Sequence, residues 1–360
     1  MKEFEIRTIK DIYLIKYVYE QFDQIVVYTK TLKNQGVLRH AFKYAFWALK
    51  DNGHIIVKDQ QSCRFGVGRK NSDFWVVRSE FFKTLYNVVC VLEVSDDKRF
   101  IRVQKQSSHH FDSISFGLLF SGSDSEKELL KSVVESIAKN TAIRHIKHEV
   151  IICGPDSFDP AQIINQHPDI NIRYLVFNHA YEAGRFVVCK KKNYLYKHCQ
   201  YEIISISHLR IMYPDDFVEK IISRQFDIIT PRVVVNSPSG KQFRYLDYML
   251  LETYDVTASG INRRFDRIWF GDNYFGFLRS RVAFIDGGLN VFNHLAIKEP
   301  PYDDRLSWAE AEDVDMCYGL HQRGFLIDYF DDIKCESATC KTNLAGWRFL
   351  IKRLISPLYK

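Results

Sequence analysis

Four apolar runs constrain this chain more than anything else in it: Ser113–Phe120, His148–Cys153, Ile172–Phe177 and Glu202–Ser207. Each has strand length and near-continuous hydrophobicity, and longer segments part them. The first of those segments, Lys127–Lys139, places Leu129, Leu130, Val133, Val134 and Ile137 at helical spacing on one face, and Ser121-Gly-Ser-Asp-Ser-Glu126 ahead of it caps the helix. Strands alternating with helices predict a parallel sheet with right-handed crossovers, whose ligands bind beyond the carboxyl ends of the strands.

Residues 1 to about 110 alternate in the same way. Gln24–Tyr28 and His54–Lys58 read as strands, Val37–Leu49 as a helix with Phe42, Ala45 and Leu49 on one face, and Asp51-Asn-Gly53 as a turn. Val88–Val94 and Arg99–Val103 suit an antiparallel pair, and only a short polar segment is expected before Ile25. Gln104–His110 is polar and aperiodic and reads as a linker. With 360 residues, 46% apolar and 26% charged, the chain has material for two cores.

The net charge of +6 permits attraction to anionic ligands, but no basic run is dense enough to predict a nucleic-acid partner. Eight cysteines without a CxxC pair point to reduced thiols in a cytoplasmic protein. Met1-Lys-Glu-Phe-Glu is charged and unlike a signal peptide, and no apolar run approaches the roughly 20 residues that span a bilayer. Trp347–Lys360 alternates apolar and basic residues as an amphipathic helix broken before Pro357. It suits peripheral contact with the inner membrane surface, and equally packing on the body of the protein or on a second copy in a homo-oligomer.

Near the C-terminus, Glu310, Glu312, Asp313 and Asp315 follow Trp308 at the head of a short helix that stops at Gly324. Anions are favoured there by the helix dipole and the unpaired N–H groups. An ordinary solvated helix start looks the same, but a carboxylate so placed also suits a base beside an acceptor hydroxyl.

With these segments in place, residues from about 112 to 335 resemble a nucleotide-sugar glycosyltransferase of the GT-A fold, closest to the inverting glycosyltransferase family 2. Ala48-Leu-Lys-Asp-Asn-Gly-His-Ile-Ile-Val-Lys-Asp59 resembles the second half of a class I S-adenosylmethionine-dependent methyltransferase, without its glycine-rich first strand. Gly66-Val-Gly68 is the one Gly-x-Gly and follows no strand, so no S-adenosylmethionine is expected. The fold class implied is α/β. A GT-A type, Rossmann-like mixed sheet flanked by helices (111–340) is preceded by a smaller, partial Rossmann-like unit (1–110), an assembly or partner-binding module, and followed by the basic tail (341–360).

The resemblance also implies a site. Phe120 and Ser121 end the first strand beside the donor, and Asp156 substitutes for an acidic residue that the family carries near Cys153 and Gly154. Lys192 and Asn193, in Lys190-Lys191-Lys192-Asn193, fall in a basic segment approaching the donor. The fourth strand of the family ends in Asp-x-Asp, holding manganese or magnesium against the diphosphate. Here Ser207-His208-Leu209-Arg210-Ile211 stands instead, with Leu209 at the aspartate position, where it cannot ligate an ion. His208 is left as the candidate metal ligand or phosphate donor, and Arg210 as a direct counter-charge. The same residues also suit a plain strand end, with Asp215-Asp216 capping the next helix.

Gly287 and Gly288 match a Gly-Gly element beside the sugar, where a structural bulge is the alternative. Glu312-Asp313 matches a Glu-Asp pair, making Asp313 the general base and Glu312 a group that orients the acceptor. Trp308 would stack on a sugar face with Glu310 nearby. His321 and Arg323 would reach the phosphates or simply complement the helix dipole. The activity implied is inverting transfer from a nucleotide sugar to a glycan or lipid-linked acceptor in surface polysaccharide or glycoconjugate synthesis. Leu209 and the incomplete N-terminal unit leave a second reading open, a catalytically degenerate scaffold or nucleotide-binding partner in a glycan-synthesis complex.

Overall fold

The computed structural model describes residues 1–29, 32, 35–58, 72–85, 88–94, 100–106, 108–178, 181–182, 185–236, 242–244, 248–251, 255–257, 260–262, 282–307 and 310–339. Gly66, Gly68, Trp308 and the tail 341–360 lie outside the described residues.

A first sheet contains β1 (Glu3–Ile6), β2 (Phe22–Tyr28), β3 (Leu49–Lys58), β4 (Val89–Val94) and β5 (Phe100–Lys105) in the order β1-β2-β3-β5-β4. Helices α1 (Ile9–Leu14), α2 (Gln35–Ala48) and α3 (Ser72–Leu85) connect the strands. β1, β2 and β3 are parallel, and β5 runs antiparallel to both β3 and β4.

Three expectations need correction here. A strand and a helix precede Ile25: β1 pairs with β2, and Thr8 and Asp11 close a capping box at the start of α1. Asp51-Asn-Gly53 does not end a strand but bulges within β3, where a step from Phe22 to Gln24 is matched by one from Leu49 to His54. The expected linker is also shorter, because β5 continues to Lys105, whose buried ammonium donates to the Leu49 carbonyl at 2.8 Å.

The larger sheet begins with β6 (Ser113–Leu119), α4 (Asp124–Ala138), β7 (Lys147–Gly154), α5 (Ala161–Gln166) and β8 (Ile172–Val176). The short pair β9 (Tyr181–Glu182) and β10 (Arg185–Phe186) leads to α6 (Val188–His198) and β11 (Ile203–His208). Next come β12 (Ile211–Met212), α7 (Phe217–Ile222), β13 (Ile228–Asn236), β14 (Gln242–Arg244), β15 (Tyr248–Leu251), β16 (Asp255–Thr257) and β17 (Gly260–Asn262). The chain then forms β18 (Val282–Ile285), β19 (Leu289–Asn293), α8 (Glu312–Gln322) and β20 (Ile327–Ser337).

The strand order is β12-β20-β13-β19-β11-β6-β7-β8, with β14 on β13. The four runs read from the sequence are β6, β7, β8 and β11, and they are mutually parallel. β19 runs against both β11 and β13, so the sheet is mixed. It brings the turn between β18 and β19 to the carboxyl end of β11.

Inside this apolar stack Glu149 is fully buried. Its carboxylate accepts from the Ser115 hydroxyl at 2.6 Å, Arg173 Nε at 2.8 Å and the Gln200 N–H at 2.8 Å, which satisfies the charge. One hydrophobic cluster spans both sheets and the elements around them, including Val27 of β2, Phe42 and Ala45 of α2, Tyr196 of α6, Phe284 of β18 and Tyr329 of β20. Phe116, Val134, Phe217 and Phe330 belong to a second cluster in the larger sheet.

Candidate active site

β18 and β19 are joined by a turn of Asp286, Gly287 and Gly288, and the site is built round it. The His208 N–H donates to the Gly288 carbonyl at 2.9 Å, tying the turn to the end of β11. A Cβ on Gly287 would lie 2.8 Å from Lys192 Nζ and 3.0 Å from Glu312 Oε1. One on Gly288 would lie 2.6 Å from Asp286 Oδ2 and 2.9 Å from Arg210 Nη2. Both glycines therefore serve close approach: a side chain at either would enter the space between the charged groups.

α8 presents its first turn to this hairpin. Ala311, before it, has φ 60°, a left-handed conformation that a residue with a Cβ seldom adopts, and it turns the chain into the helix. Glu312 is buried, with Oε1 3.4 Å from Lys192 Nζ. Lys192 is 0% exposed and lies 4.7 Å from the centre of the Tyr302 ring. Across the turn, Arg210 Nη2 is 3.8 Å from Asp286 Oδ2, which also accepts the Gly288 N–H at 2.9 Å.

Asp313 forms no ion pair among the described residues. Its carboxylate accepts the Gly287 N–H at 3.2 Å and the Val314 N–H at 2.9 Å. Burial pushes its pKa up to about 6, helped by the neighbouring charges of Glu312 and Asp286, while Lys192 pulls the other way. A partly open carboxylate in that range can take a proton near neutral pH.

The residues expected on the donor side gather at the ends of β6 and β7. The Phe120 N–H donates to the Cys153 carbonyl at 2.9 Å, and its own carbonyl accepts from the buried Lys191 ammonium at 2.5 Å. Its ring meets Phe158 edge-on, with centroids 4.7 Å apart. Gly122 has φ 89°, and a Cβ on it would be 2.5 Å from Pro155 Cγ, so the loops carrying Ser121 and Asp156 touch. The Asp156 N–H donates to Asn178 Oδ1 at 2.9 Å, and Asp156 itself is exposed. Since α6 carries both Lys191 and Lys192, it links the two clusters.

Several expected site residues have other employment. Asn193 donates to the Tyr302 carbonyl and to Asp304 Oδ1, each at 2.6 Å, and accepts the Tyr302 N–H at 3.2 Å. Its amide holds the Tyr302–Asp304 loop. Glu310 precedes α8 and folds back on its own turn, accepting the Ser307 N–H and hydroxyl at 2.7 Å each. His321 sits at the far end of α8 against Arg39, and burial plus the Arg39 charge push its pKa down to about 3. It is neither near the turn nor a cation. Sequence reading missed Asp286, a single carboxylate before the glycines, and Tyr302, whose hydroxyl donates to Asn290 Oδ1 at 2.6 Å.

A divalent ion needs several hard oxygen ligands. No three His, Cys, Asp or Glu side chains converge in that way among the described residues. Leu209 is 2% exposed and packs in the core, His208 ends its strand without a carboxylate neighbour in sequence, and the side chain after Leu209 is a guanidinium. Among the described residues this donor set does not fit manganese or magnesium.

No family model matches the chain, and neither does any curated protein. Solved structures do. The chain is similar to S. aureus TarS residues 1–349 at 11% identity and TM-score 0.41, over 62% of this chain and 60% of that one. It is similar to the mannosyltransferase PcManGT from Pyrobaculum calidifontis, solved with GDP-Man and Mn2+, at 12% identity and TM-score 0.41, over 67% and 61%. The inositol-1-phosphate CTP transferase from T. maritima is similar at 13% identity and TM-score 0.38, over 69% and 97%. The chain thus spans about 60% of the length of the first two.

Proposed function

We propose that the chain is a GT-A type glycosyltransferase moving a sugar from a nucleotide-sugar donor to a glycan or lipid-linked acceptor, with inversion. The observation that supports it most is the packing of the Gly287-Gly288 turn between Lys192, Glu312 and Asp313 on one side and Asp286 and Arg210 on the other. That turn stands at the carboxyl end of β11, where ligands of such sheets bind.

In this reading Asp313 takes the proton of an acceptor hydroxyl as that oxygen attacks the anomeric carbon. The bond from that carbon to the donor diphosphate breaks, and the nucleotide leaves with the electron pair. Arg210, already facing the carboxylate of Asp286, supplies charge-assisted hydrogen bonds to the departing phosphates. Glu312, held by Lys192, orients acceptor hydroxyls, and Phe120, Ser121 and Asp156 flank the nucleotide. The glycines let these charged groups close in on the turn. Synthesis of a surface glycan is the setting proposed.

Thermal-shift screening of nucleoside diphosphates and nucleotide sugars, with manganese and with a chelator, tests the proposal. Binding of one class in either condition, with slow hydrolysis of that sugar donor, is expected. Absence of binding across the panel would sink it and favour the scaffold, for which Leu209 in the core is the specific argument.

A further inference from the structure

We propose that Arg39, on α2, is a positioning residue for Asp313 and acts through α8; the inference rests on reading Asp313 as the base. The first turn of α8 has no side-chain cap, and Ala311 before it is left-handed. The other end is held by a distant part of the chain. Arg39 is 2% exposed, and its Nη1 donates to the His321 carbonyl at 2.7 Å, in the last turn of α8, and to the Phe325 carbonyl at 3.3 Å, just beyond it. The same nitrogen is 2.6 Å from His321 Nδ1, and Nε donates to Glu80 Oε1 at 2.6 Å. The guanidinium fork is thus fixed on α3 at one side and on α8 at the other.

The chain just beyond α8 is gripped as well. Gly324 has φ 96°, and a Cβ on it would collide with the Lys83 carbonyl, so the backbone of α3 lies directly against this turn. Lys43, one helical turn after Arg39, lies 2.9 Å from Asp227 Oδ2, which accepts the Leu326 N–H at 2.8 Å. Tyr44 donates to Asp328 Oδ2 at 2.8 Å, and Lys16, just after α1, to the Tyr329 carbonyl at 2.6 Å. Helices α2 and α3 and the end of α1 therefore hold the segment from His321 to Tyr329. A helix transmits that position: eight residues separate His321 from Asp313, about 12 Å of stiff rod at 1.5 Å per residue. Asp313 meets Gly287 only through one 3.2 Å bond, so a slide of α8 that freed it from Arg39 would break that bond. The first sheet completes a site it does not line.

The test is Arg39→Ala and Arg39→Lys in the full chain, read by amide exchange across Glu312–Cys317 and by the titration of the Asp313 carboxyl in NMR spectra. Arg39→Ala should speed exchange there about tenfold or more and move the Asp313 titration toward the ordinary carboxylate range, with exchange in β6 unchanged; the lysine variant should fall between. A folded Arg39→Ala protein with α8 exchange and Asp313 titration as in the parent overturns the inference. If the alanine variant does not fold, Arg39→Lys, whose single ammonium cannot bridge Glu80 and the two carbonyls as the guanidinium fork does, takes its place: faster α8 exchange with a shifted Asp313 titration supports the inference, and parental values of both overturn it. Neither readout needs a substrate, so an inactive parent protein would defeat the transferase reading without deciding this one.

Discussion

The Gly287 N–H and Asp313 Oδ2, 3.2 Å apart, join the hairpin after β18 to the first turn of α8. A backbone donor favours the carboxylate form, yet burial and two neighbouring acids outweigh it and raise the pKa to about 6. That carboxyl is thereby poised close to physiological pH.

Transfer should require ionised Asp313, so kcat/KM should rise as pH passes through about 6 and level off above it. Initial rates from pH 5 to 8 with the donor found by screening check this. Asp313→Asn should remove the rising limb and lower the rate by about 100- to 10,000-fold.

The same substitution should stabilise the fold at neutral pH. Because the folded-state pKa lies above the unfolded value, the stabilisation from protonated Asp313 is complete below about pH 4 and lost as pH rises through about 6. Asp313→Asn escapes that loss, and its advantage over the parent should be about 1–3 kcal/mol greater at pH 7.5 than at pH 4. Urea unfolding at the two pH values measures it.

Gly287→Ala should inactivate more than it unfolds. The new methyl would sit 2.8 Å from Lys192 Nζ and 3.0 Å from Glu312 Oε1, displacing side-chain ends rather than backbone. A loss of activity of about 100-fold, with a melting temperature changed by only a few degrees, is the expected pair of results.

Arg210→Gln should weaken binding of the nucleoside diphosphate about 10- to 100-fold, the worth of a charged hydrogen bond. Calorimetry on parent and variant, each with manganese and with chelator, checks it. Since the donor set does not fit a divalent ion, manganese should change the parent's affinity less than about twofold, a shift under ~0.5 kcal/mol.

The parallel half of the large sheet was legible because β6, β7, β8 and β11 are continuous apolar runs, and α4 because its apolar residues recur at helical spacing. The Glu312-Asp313 pair and the two glycines were singled out through the resemblance, and the fold sets them against one another. β1 carried a signal, the alternation of Glu3, Phe4, Glu5 and Ile6, that is short and easily passed over. Asp286 carried none, since one acid before a Gly-Gly turn looks like any turn residue. Arg39 and Lys43 were opaque for a different reason: basic residues on a helix read as its wet face, and their acidic and carbonyl partners at Asp227, His321 and Phe325 lie far along the chain. That Asn193 braces Tyr302 was not legible, because the bond depends on a loop that no local pattern announces.

The apolar cluster shared by the two sheets bears on how such a chain can be cut or recombined. Val27, Phe42 and Ala45 are packed in the same cluster as Phe284 and Tyr329. Severing the polypeptide near residue 110 would lay oily surface bare on each fragment, so neither is suited to separate expression, and grafting another N-terminal half would demand a matching face of the same shape.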